Sequence, residues 1–101
     1  MSLIVIYGTP DCGWCKKAVQ LAEDNKLEYE YIDISKDDSS MNSYRYRFHS
    51  MIVPVPKTVP QIFIEYNPFE DEYIGGFEDF SKWYNQQVSS SVGSGDLDGT
   101  L

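Results

Sequence analysis

The chain has 101 residues, with 8 Lys and Arg against 16 Asp and Glu, a net charge of −8. That length supports one domain with one modest core, since a chain of this size buries only about 60–65% of its unfolded surface. A pI near 4.4 argues against a general phosphate-backbone binder; no apolar run approaches the ~18–20 residues of a membrane span, and Met1-Ser2-Leu3 opens without a basic n-region, so neither a transmembrane protein nor an exported disulfide scaffold is expected.

Leu3 to Tyr7 is an unbroken apolar run bounded by Gly8-Thr9-Pro10-Asp11, the pattern of a buried strand. From Gly13 to Asn25 the period becomes helical, with Cys15, Ala18, Val19 and Ala22 at i, i+3, i+4 and i+7 on one face. Glu28 to Ile34 alternates and carries Tyr29, Tyr31, Ile32 and Ile34, so it predicts a second strand. Ser39 or Ser40 is expected to cap a second helix whose inner stripe is Met41, Tyr44 and Phe48. Val53-Pro54-Val55-Pro56-Lys57 cannot continue that helix, because its prolines remove donors and disfavour the α region. Gln61 to Glu65 and Glu72 to Gly75 read as strands joined by the turn-rich Tyr66-Asn67-Pro68-Phe69-Glu70-Asp71. Phe77, Phe80 and Tyr84 mark a closing helix. The order β-α-β-α-β-β-α predicts an α/β fold. Its four-stranded mixed sheet carries helices on both faces, a parallel right-handed first crossover and a final hairpin. The composition changes after residue 88: residues 89–101 hold four Ser, three Gly and two Asp, so the expected organisation is one folded domain over 1–88 and a flexible tail over 89–101.

Two cysteines are too few for a disulfide framework, and their spacing, Cys12-Gly13-Trp14-Cys15, carries more information than their number. In a reducing cytoplasm, the compartment expected here, such a pair is more often catalytic or metal-binding than structural. At a helix N-terminus, unpaired amides and the helix dipole favour negative charge, so Cys12 is expected to ionise readily, with Lys16 and Lys17 in the next turn supporting the thiolate. Cys15 begins the core-facing stripe and is expected to be less exposed. That asymmetry suits attack on a disulfide by Cys12 and resolution of the mixed disulfide by Cys15. A zinc site needs more ligands than the two cysteines and His49 provide, so no metal site is expected.

Three separated motifs stand in order along the chain: Thr9-Pro10-Asp11-Cys12-Gly13-Trp14-Cys15, Thr58-Val59-Pro60-Gln61-Ile62-Phe63-Ile64, and Gly75-Gly76-Phe77-Glu78-Asp79-Phe80. Through them the chain resembles the glutaredoxins, the glutathione-linked branch of the thioredoxin fold, over about residues 1–88. The resemblance implies Cys12 as nucleophile and Cys15 as resolving thiol. It implies a cis Pro60 that presents the Val59 backbone, beside Thr58, to the cysteinyl part of glutathione. Gly76, Phe77 and Glu78 would open the last helix and bind the γ-glutamyl carboxylate through their amides, with Asp79 meeting the ammonium. Glutathione is then a co-substrate, no metal is obligatory, and the activity is glutathione-dependent reduction of protein disulfides and glutathione mixed disulfides by a monomer.

The departures from the family pattern are specific. Thr9 stands where glutaredoxins commonly carry Lys, which removes a cation, so that either glutathione is held more weakly or Lys57 or an Arg substitutes. Gly13-Trp14 replaces the usual Pro-Tyr, making Trp14 a docking surface and leaving room for a glutathione-ligated iron–sulfur carrier as an alternative role. Residues 66–72 read as a long, acidic hairpin insert. The ending Gly75-Gly76-Phe77 with Trp83-Tyr84 is similar to phage-encoded glutaredoxins, which implies ribonucleotide reductase as a possible protein partner and a host cytoplasm as the setting. A thioredoxin-like reductase recycled by its own reductase is the other alternative, although Asp11 rather than Trp precedes Cys12.

Overall fold

The computed structural model describes residues 2–51 and 53–96, with side chains through residue 87. Seven elements follow in the expected order: β1 (Leu3–Gly8), α1 (Gly13–Asp24), β2 (Tyr29–Asp33), α2 (Asp38–Ser50), β3 (Gln61–Asn67), β4 (Glu70–Gly75) and α3 (Phe77–Asp96). The sheet order is β2-β1-β3-β4; β1 runs parallel to β2 and antiparallel to β3, and β3 and β4 form the hairpin. This is the four-stranded mixed sheet expected of the thioredoxin fold.

Because β1 and β3 are central, both faces of each are covered, which is why they read as continuous apolar runs. Ile4 and Ile6 face Ala18 and Ala22 of α1 and Phe80 of α3, together with Ile62 and Ile64. The small alanines allow α1 to approach the sheet closely. Val5, Tyr7 and Phe63 point the other way, onto Tyr44 and Phe48 of α2. There the rings of Phe48 and Phe63 lie 5.1 Å apart and steeply inclined, a favoured aromatic geometry. Each such side chain contributes about 1.5–3 kcal/mol on full burial.

Two boundaries differ from the sequence reading. Asp37, not Ser39 or Ser40, caps α2: its carboxylate accepts the Ser40 amide at 2.8 Å, and that bond holds the Asp37 carboxyl below the ordinary carboxylate range. The hairpin is also tighter than expected. Residues 66–72 are mostly strand, with Asn67 opposite Glu70 and only Pro68-Phe69 at the turn. Cross-strand bonds extend the ladder: the Tyr66 hydroxyl donates to Glu72 at 2.6 Å, and Asn67 both donates to Glu70 and accepts the Phe69 amide. The α3 backbone continues through residue 88 to Asp96, while residues 97–101 of the expected tail lie outside the described set.

Candidate active site

Cys12 is the N-cap of α1. Its backbone is extended (φ −100°, ψ 109°) and its Sγ accepts the Cys15 amide at 3.0 Å. Negative charge on that sulfur is therefore stabilised by a directed N–H and by the positive end of the helix dipole. Cys12 and Cys15 are joined as a disulfide. Cys12 is partly exposed, whereas Cys15 is 1% exposed at the start of the buried stripe, so only one sulfur can meet an incoming partner.

Cys12 Sγ lies 3.7 Å from the Val59 carbonyl oxygen, which a thiol proton at Cys12 could reach. The Val59–Pro60 peptide is cis, as the resemblance implied. Beside this contact opens a cleft of about 590 Å³. Thr58, Val59 and Pro60 form one wall; Gly76, Phe77, Glu78 and Asp79, from the start of α3, form the other; Trp14 stands at the rim. The Trp14 and Phe77 rings are 5.7 Å apart, and the Lys17 ammonium sits 4.4 Å from the Trp14 ring centroid. Lys16 is exposed and lines a different cleft, next to Cys15. The two lysines thus diverge.

The glutaredoxin family model matches residues 4–67. The chain belongs to the glutaredoxin family. It is 37% identical over 94 residues to a glutaredoxin of Haemophilus influenzae, covering 83% of this chain and 92% of that protein. It is 28% identical over 91 residues to glutaredoxin 1 of Escherichia coli, covering 85% and 96%. The solution structure of reduced Escherichia coli glutaredoxin superposes with a TM-score of 0.63 at 29% identity, covering 86% of this chain and 98% of that one. This glutaredoxin is accordingly a glutathione-dependent thiol–disulfide oxidoreductase, and Cys12-Gly13-Trp14-Cys15 matches a dithiol active site.

The start of α3 is arranged less openly than the sequence implied. Gly75 has φ 123°, a conformation that favours glycine. The Asp79 carboxylate folds back over the helix start and accepts the Gly76 amide at 3.4 Å. That amide is therefore engaged, while the amides of Phe77 and Glu78 belong to the first turn, where helices lack internal partners. His49 is exposed on α2, on the opposite face of the sheet from α1, so it does not join the cysteines.

Gln61 is the supporting residue that sequence reasoning missed. It is 4% exposed; its amide donates to the Thr58 carbonyl at 3.0 Å and to Thr58 Oγ1 at 3.2 Å, and its oxygen accepts the Tyr73 hydroxyl at 2.5 Å. Burial, and then the Asp79 carboxylate, raise the Tyr73 pKa, so this hydroxyl remains a donor at neutral pH. The network ties the Thr58-Val59-Pro60 wall to β4. Its sequence signal was a glutamine opening the otherwise apolar run Gln61-Ile62-Phe63-Ile64.

Proposed function

We propose that Cys12 is the nucleophile, that Cys15 is the resolving thiol, and that the cleft beside Val59 takes the glutathionyl group. The observation that carries this reading is the Cys12 sulfur: it caps α1 next to the Val59 backbone while its partner sulfur is buried. The Cys12 thiolate attacks a glutathione mixed disulfide and expels the target thiol. A glutathione thiolate then attacks the sulfur of the glutathionyl group, releasing oxidised glutathione and the Cys12 thiolate. With a protein disulfide, Cys15 resolves the Cys12 mixed disulfide, leaving the oxidised pair that two glutathione molecules reduce. Within the cleft, Thr58, Val59 and Pro60 line the cysteinyl portion, and the Phe77 and Glu78 amides at the α3 start meet the γ-glutamyl carboxylate. The Asp79 and Glu78 carboxylates suit its ammonium. Trp14 and Lys17 form the rim on which a target protein docks, with Lys16 adding positive charge nearby. Disulfide-bonded or glutathionylated proteins in a glutathione-rich cytoplasm are the substrates, and the likeness of the Gly75-Gly76-Phe77 and Trp83-Tyr84 ending to phage glutaredoxins supports ribonucleotide reductase among them.

Turnover of a glutathionylated small disulfide, coupled through glutathione reductase to NADPH oxidation, tests the assignment. Cys12→Ser is expected to abolish turnover, whereas Cys15→Ser retains the monothiol reaction. Equal loss in both variants contradicts the assigned roles.

A further inference from the structure

A second cleft, of about 550 Å³, shares no lining residue with the first and is bordered by Cys15, Lys16, Thr9 and Tyr31. The Tyr31 hydroxyl, on β2, donates to the Thr9 carbonyl at 2.7 Å. Both this hydroxyl and the buried sulfur abut Gly8: a Cβ there would run into the Tyr31 hydroxyl and stand 2.6 Å from Cys15 Sγ. The hydroxyl and the buried sulfur therefore crowd the same side of one glycine.

The chemistry gives this proximity a use. When a glutathione thiolate attacks Cys12 Sγ, a new S–S bond forms and the Cys12–Cys15 bond breaks, with its electron pair leaving on Cys15 Sγ. A second glutathione thiolate then releases oxidised glutathione and the Cys12 thiolate, and the sulfur of Cys15 takes a proton from water. Two glutathione thiols are oxidised and one protein disulfide is reduced. The charge that develops on Cys15 arises at a site with 1% exposure, where desolvation disfavours it unless a donor is at hand.

We propose that Tyr31 supplies that donor, its hydroxyl turning from the Thr9 carbonyl to the Cys15 sulfur as the disulfide opens and turning back when it closes. A disulfide sulfur is neutral and accepts poorly, so the carbonyl holds the hydroxyl in the oxidised protein. A thiolate forms a charge-assisted bond roughly twice as strong as a neutral one and takes the hydroxyl over. Burial, and then the Asp33 carboxylate, raise the Tyr31 pKa, which keeps the hydroxyl protonated at neutral pH. The proposal rests on Cys15 being the resolving thiol.

The test places Tyr31→Phe in two backgrounds, the parent and Cys15→Ser, and reads each against its own background. Opening of the disulfide by glutathione is followed by rapid-mixing fluorescence of Trp14, which lies between the two cysteines. Loss of one hydrogen bond to a charged group predicts opening slower by about tenfold or more in Tyr31→Phe. In the Cys15→Ser background, where no charge leaves on residue 15, the same substitution is expected to change monothiol turnover by less than about twofold. An opening rate within about twofold of the parent overturns the proposal. So does an equal penalty in both backgrounds, which is what a purely structural tyrosine produces. Loss of monothiol turnover on Cys15→Ser alone overturns the thiol assignment beneath the proposal, and the proposal with it.

Discussion

Replacing Gln61 by Leu tests whether the Thr58–Pro60 wall is held by its buried network. The substitution conserves approximate volume but removes two bonds to Thr58 and the acceptor of the Tyr73 hydroxyl. A neutral hydrogen bond contributes about 0.5–1.5 kcal/mol net, and a buried partner left unpaired costs about 1–3 kcal/mol. Thr58 is exposed and recovers water, whereas Tyr73 is partly buried and recovers less. Offset by the gain from burying Leu, the expected loss is about 2 kcal/mol. For a domain of this size that lowers Tm by roughly 8–16 °C. The same change loosens the backbone next to Cys12, so KM for a glutathionylated substrate is expected to rise more than kcat falls. Gln61→Glu gives an internal check. A buried glutamate is favoured in its neutral form, whose O–H can donate to the Thr58 carbonyl, so its folded pKa is raised. Stability in that variant therefore increases as pH falls from 7 toward the ordinary Glu range near ~4.3 and is lost as pH rises. Thermal melts with steady-state kinetics settle the matter. A Gln61→Leu protein with Tm within about 3 °C of the parent and an unchanged KM refutes the reasoning.

Three further outcomes are expected. Arg47 bonds Glu65 at 2.6 Å and Asp71 at 3.2 Å while its guanidinium lies 5.1 Å from the Phe63 ring, so Arg47→Met is expected to cost about 1–2 kcal/mol in urea unfolding; the difference should shrink at ~1 M salt, and an equal loss at both salts assigns it to packing. Gly75→Ala imposes a side chain at φ 123° and sets its methyl against the Asp79 carboxylate, predicting about 1–3 kcal/mol of destabilisation and a raised KM; a melt and KM matching the parent contradict this. Burial, reinforced by Tyr73 and Tyr7, pushes the Tyr44 pKa from 10.0 up to about 12. The stabilisation this represents is intact below pH 10 and lost as pH rises through 12, so Tyr44→Phe should flatten alkaline unfolding in that window, and an unchanged curve counts against it.

What the sequence made legible was what local period and spacing encode. The run from Leu3 to Tyr7, the stripe Cys15, Ala18 and Ala22, and the position of Cys12 at a helix start each follow from neighbours in the chain. The hairpin was obscured because Glu70, Asp71 and Glu72 look like a solvated turn until Tyr66 and Asn67 pair with them across the strands. The α2 cap falls to Asp37 and to neither expected serine, because its carboxylate reaches the Ser40 amide. Gln61 and Tyr31 were hidden for a different reason. Read locally, one is a strand residue of unfavourable polarity and the other a good strand former. Tyr73, which bonds Gln61, and Thr9 and Cys15, which lie by the Tyr31 hydroxyl, come from other parts of the chain, and only folding brings them together.

Placement also changes the meaning of the acidic charge. Of the acids clustered late in the chain, Glu65 and Asp71 are held by Arg47, Glu72 accepts from Tyr66, and Glu70 accepts from Asn67. They stitch β3 to β4 and α2 to the hairpin, and much of their charge serves the fold. Asp79 is occupied with its own helix start. Glu78 is exposed on the cleft wall, opposite the Thr58–Pro60 turn and near the Trp14–Lys17 rim. The cleft wall thus carries two carboxylates while the nearby ammonium of Lys17 leans on Trp14, an arrangement that fits a ligand bearing both an ammonium and carboxylates better than a simple anion. In the proposed docking of glutathione, the acids meet its ammonium, and its γ-glutamyl carboxylate depends on the α3 amides. Selectivity then comes from where opposite charges stand on this one cleft, not from the net charge of −8.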